Sequence, residues 1–77
     1  MEVKVQPGDV VVMNGKTRSV LHLPLPEALV LLAHASKIEP SLYAKACKGT
    51  RDTFARVQLW DFARLYESKH GRPFTYA

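Results

Sequence analysis

A single cysteine, Cys47, stands in the 77 residues, so no internal disulfide can staple the chain. That usage suits a reducing compartment, and cytoplasmic residence is expected. No charged n-region followed by an apolar h-region opens the sequence, so no secretory signal is expected. The longest apolar run, Ala28–Ala33, is six residues, against the roughly 20 that a membrane span needs. Three histidines, His22, His34 and His70, scatter over different expected elements with Cys47 elsewhere, which argues against a metal centre. Neither G-x-x-x-x-G-K-[ST] nor G-x-G-x-x-G occurs, so no phosphate-cradling loop is indicated. The seven acids are spread singly, with no carboxylate pair in sequence reach. Together these gaps point away from catalysis. No catalytic residue, cofactor or metal is assigned, and a non-enzymatic protein is expected. No internal repeat or linker interrupts the chain, so residues 1–77 are read as one domain.

What the chain does contain is a hydrophobic fraction of 47%, ordinary for a globular protein, and a net charge of +4. Residues 1–37 hold four Lys/Arg and three acids, whereas residues 38–77 hold seven and four. The basic excess therefore lies mostly in the second half. A pI near 9.5 favours nucleic acid or an acidic protein surface as partner.

The expected fold class is α+β: a three-stranded antiparallel β-meander over 1–23, three helices over 24–70 and a short tail over 71–77. Asn14-Gly15 is a strong two-residue hairpin signal. Pairing Met13 with Lys16 sets Val12 opposite Thr17, and alternation then groups Val10, Val12, Thr17, Ser19, Leu21 and Leu23 on one inner face. Pro7-Gly8 is a second turn, which places Val3 and Val5 of a first strand on that face. Pro26 and Glu27 suit the first turn of a helix running to about Lys37. Its apolar residues spread around the whole circumference, so burial on several sides, between the sheet and the last helix, is expected. Glu39-Pro40 breaks the chain, and a short helix follows over Pro40–Lys48 with Gly49 at its end.

Arg51–Lys69 is free of Gly and Pro and is the clearest helix, nearly 30 Å long at 1.5 Å per residue. Phe54, Ala55, Leu59, Phe62, Leu65 and Tyr66 make its apolar arc, with Ala63 at the edge. Phe74 and Tyr76 alternate in the tail, and their rings are expected to fold back onto the core.

On the other side of the long helix Arg56, Trp60 and Arg64 stack at i, i+4 and i+8, with Val57 beside them. Lys45, Lys48 and Arg51 cluster at the junction of the short and long helices. Arginine and lysine suit phosphates, and an indole between them suits stacking on a base. These seven residues are the candidate contact set for nucleic acid. The same stripe suits a protein partner, because Trp and Arg dominate interface hot spots. A small inhibitor or modulator of phage or bacterial type, acting on a host defence or regulatory complex, is the alternative expectation. A homodimer about Trp60 is a third use of that face. The competing reading is structural, with Trp60 packed into the core and its arginines bent around it.

Overall fold

The structure is a computed structural model of the chain, and it describes residues 10–13, 16–49 and 55–76. Among these, three strands and three helices follow in the order β1 (Val11–Met13), β2 (Lys16–Arg18), α1 (Leu25–Ile38), α2 (Pro40–Gly49), α3 (Ala55–His70) and β3 (Phe74–Tyr76). A 3₁₀ turn, Val20–His22, links β2 to α1. The class is α+β, as the sequence implies.

The sheet differs from a meander. β1 is central, antiparallel to β2 and parallel to β3. The hairpin register is the expected one, with Met13 opposite Lys16 and Val12 opposite Thr17. The tail supplies the third strand, and Val11 pairs with Phe74. A parallel neighbour needs a long crossover, and the three helices provide it. The expected first strand, with Val3 and Val5, lies outside the described residues.

Two further expectations change. The covered face of the sheet carries Val11 and Phe74, both with no exposure, while Thr17 is exposed. A hairpin register determines which residues share a face but not which face the helices cover. With valine at 10, 11 and 12, polarity alone gives no phase. The second strand also stops at Arg18 instead of reaching Leu23. Val20 and Leu23 are both buried and Leu21 is exposed. A spacing of three aligns side chains on a 3₁₀ turn, whereas strand alternation would send these two to opposite faces. His22 Nδ1 and Ser19 Oγ share a 2.8 Å hydrogen bond across that turn.

α1 begins after Pro24, with Pro26 in its first turn, where a missing N–H costs nothing. It buries Ala28, Leu31, Leu32 and Ala35 on one side only. Leu25, Leu29 and Val30 on the other side are about half exposed, which corrects the expectation of burial on several sides. Glu39 is the one non-helical residue between α1 and α2. Its N–H closes α1 on the Ala35 carbonyl, and its own carbonyl accepts from Tyr43 N–H in α2. Pro40 enforces this break, since the residue before proline avoids helical geometry.

α3 packs against α1, α2 and the 3₁₀ turn. Its buried residues are Ala55, Leu59, Phe62 and Ala63. The arc matches the expected one but is turned toward Ala63, with Tyr66 half-buried within it and Leu65 half-buried at its other edge. Phe54 lies outside the described residues. Gly71 ends α3 at φ +71°, a backbone region that side chains disfavour, with its N–H on the Glu67 carbonyl at 2.7 Å. The chain then turns into β3. Phe74 meets Phe62 edge-on at 5.0 Å and Tyr66 at 5.5 Å between ring centroids. This aromatic group joins the tail, the sheet and α3 into one core.

Candidate binding surface

Arg56, Trp60 and Arg64 leave α3 one turn apart, but they do three different things. Arg56 is half-buried, and its Nε donates a 2.7 Å hydrogen bond to the Leu23 carbonyl. Leu23 follows the 3₁₀ turn, so this bond ties α3 to the entry of α1. Trp60 is half-buried and packs against the core, and its indole N–H is covered without an acceptor among the described residues. Arg64 is exposed, with its guanidinium carbon 5.9 Å from the Trp60 ring centroid, near the outer limit of a cation–π contact. Val57 is half-buried beside them.

Lys45 and Lys48 stand elsewhere. Both are exposed on α2, on the side away from buried Leu42 and Ala46. At 100° per residue, Arg56 and Lys69 leave α3 about 140° apart. Arg56 turns to Leu23, and Lys69 turns to Glu39 at the start of α2. The 3₁₀ turn and the start of α2 therefore flank α3 on different sides. The seven residues divide accordingly: a lysine pair on α2, and an Arg–Trp–Arg stripe toward the 3₁₀ turn. Arg51, read between them, lies outside the described residues.

Charge pairing separates the cations further. Arg18 reaches Glu27 at 4.0 Å, and Lys69 and His70 both reach Glu39, at 3.2 and 2.8 Å. These two donors hold the Glu39 carboxyl below its usual 4.5, the His70 hydrogen bond first and then that of Lys69. Among the described residues, Lys16, Lys37, Lys45, Lys48, Arg64 and Arg72 are exposed and have no acid within ion-pair distance. α2 contains no acidic residue at all, so nothing on that helix offsets its two lysines.

Cys47 is half-buried and hydrogen-bonds the Tyr43 hydroxyl one turn back, which pushes the tyrosine pKa up. Among the described residues no three His, Cys, Asp or Glu side chains gather into a metal-holding group. No described helix is long and apolar enough to cross a membrane.

Residue-by-residue reading passed over one surface, the outward side of α1. Leu25, Leu29 and Val30 are 49–53% exposed there, and Leu21 on the 3₁₀ turn is 53% exposed. The signal lay in the all-round apolar pattern of Leu25–Ile38, which means either burial on all sides or an uncovered face. No protein-family model matches the chain, and neither a curated protein nor a solved structure does.

Proposed function

We propose that this chain is a small, basic, non-enzymatic binding protein whose partner is polyanionic, with nucleic acid the first candidate. The observation that supports it is the set of six exposed cations without acidic partners among the described residues. Lys45 and Lys48 are the leading contacts. They share the outer face of a helix without acids, and Arg51 follows them in the chain. Arg64 adds a further cation from α3. Phosphate contacts of this kind position a nucleic acid without reading its sequence. Arg56 has a structural task in the same reading, because its Nε is engaged with Leu23.

The experiment is fluorescence anisotropy of a labelled duplex and a labelled single strand, titrated at several salt concentrations. Log affinity should fall linearly with log salt, and Lys48→Ala should lower the slope by about 1. No binding near 50 mM salt, or binding indifferent to salt, would remove nucleic acid as the partner.

One observation favours a protein partner as the second reading. Trp60 remains half open beneath exposed Arg64, a residue pairing enriched where interfaces concentrate their energy. Binding at that stripe should depend weakly on salt and be lost in Arg64→Glu, while Lys48→Ala leaves it unchanged.

A further inference from the structure

The outer face of α2 is both cationic and free of rings. Ser41, Ala44, Lys45 and Lys48 are all exposed, and they leave the helix within one arc of about 100°, away from buried Leu42 and Ala46. Two cations, one hydroxyl and one methyl group therefore make up this arc. At 1.5 Å per residue they extend over about 10 Å of helix. No acid on α2 offsets the two lysines.

The Phe, Tyr and Trp rings among the described side chains are engaged elsewhere. Phe62 and Phe74 are fully buried. Tyr66 is half-buried against Phe74, at 5.5 Å between ring centroids. Tyr43, on α2 itself, packs half-buried on the core, and its hydroxyl is hydrogen-bonded to Cys47. Trp60 packs on the core with the Arg64 guanidinium over its ring. Of the histidines, His34 and His70 lie beside Phe74 and Tyr66. The exposed His22 stands on the 3₁₀ turn, which flanks α3 on a different side from the start of α2.

We infer that the polyanion held by Lys45 and Lys48 is a double-stranded nucleic acid, gripped by its phosphate backbone, and not a single strand. The inference rests on the polyanion-binding reading and narrows it. Proteins that hold single strands combine a basic groove with aromatic side chains on which successive bases stack, and the stacking carries much of the affinity. The outer face of α2 is convex and offers no ring, so a single strand gains only charge contacts there. A duplex has already stacked its own bases and presents charge instead. Over about 10 Å of its axis it carries about six phosphate charges, and each of its strands about half as many. Counterion release per contact is correspondingly larger, with salt slopes of about −0.9 per contact for a duplex and −0.7 for a single strand. Ser41 and Ala44 suit the same partner. Their small side chains let the backbones approach, and the Ser41 hydroxyl supplies a further donor for a phosphate oxygen.

Fluorescence anisotropy of a labelled mixed-sequence DNA duplex and a labelled oligo-thymidine strand of equal length, at matched salt, tests the inference. Near 50 mM salt the duplex should bind at least about threefold more tightly, the ratio that two contacts give from those slopes. Replacing both lysines, Lys45→Ala with Lys48→Ala, should lower the duplex slope by about 2. Both side chains are exposed, so the circular dichroism spectrum should not change. Trp60 is the only tryptophan, and its emission should not be quenched by either probe. Oligo-thymidine that binds as tightly as the duplex, or that quenches Trp60, overturns the inference and leaves the polyanion reading standing. A duplex preference that survives the double substitution overturns it as well. If neither probe binds, the polyanion reading falls and the inference falls with it.

Discussion

Replacing Phe74 by alanine should take the protein close to unfolding, even though only three residues follow Phe74 in the sequence. Its ring is fully buried and packs edge-on against Phe62 and Tyr66, and its backbone pairs with Val11 in the central strand. A buried Phe→Ala substitution costs about 3–5 kcal/mol, and the aromatic pairs lost with the ring are part of that figure. A chain of 77 residues has a total stability of about 4–12 kcal/mol at the usual per-residue values. The substitution therefore removes a quarter of the stability at the least and all of it at the most. Each kcal/mol moves the melting temperature of a domain this size by roughly 4–8 °C, so a drop of at least about 12 °C is expected. Far-UV circular dichroism melts read this directly. Urea titration should show a lower midpoint with an unchanged slope if the native contacts alone have changed. Two controls bracket the argument. Thr75→Ala, at the exposed neighbour, should stay within about 0.5 kcal/mol of the parent. Phe74→Leu keeps most of the volume and should cost only about 1–1.5 kcal/mol. A Phe74→Ala protein that melts within about 3 °C of the parent would refute the placement of the tail in the core.

Arg56→Ala should lower stability by about 1–3 kcal/mol, because it removes a charge-assisted donor and leaves the Leu23 carbonyl unpaired; chemical denaturation measures this, and no change would mean that the bond does not tie α3 to the entry of α1. Glu39 supplies a pH test. Its folded-state pKa is lowered from 4.5 by His70 and Lys69, so its stabilising contribution is present above pH 4.5 and is lost as pH falls through the lowered value. Glu39→Gln should therefore be less stable than the parent near neutrality and converge with it in acid, with the gap shrinking in high salt; melting curves that stay parallel across the whole acid range would remove this tie between α2 and the end of α3.

Local signals carried most of the elements. Asn14-Gly15 specified the hairpin register of β1 and β2, Pro26 and Pro40 marked two helix starts, and Gly71 marked a helix end. All of these are backbone constraints that act within a few residues. The apolar arc of α3 was likewise visible in its period. The candidate surface was legible only as a list of residues. Arg56 and Arg64 are the same residue type one helical turn apart on either side of Trp60, and nothing local says that one reaches back to Leu23 while the other stays in solvent. That depends on where the 3₁₀ turn packs, thirty-three residues earlier in the chain for Arg56.

The sequence by itself determined the α+β class, the presence and order of the three helices and the surplus of positive charge. Each of these follows from residue type and short-range spacing. Tertiary structure alone decided which face of the hairpin is covered, that the tail becomes a parallel partner of β1, and which side of α1 is left open. Each of those choices compares contacts made across the whole chain. Phe74 meeting Val11 is a pairing across 63 residues. α1 is apolar on all sides, and only the placement of its neighbours determines which of its leucines they cover.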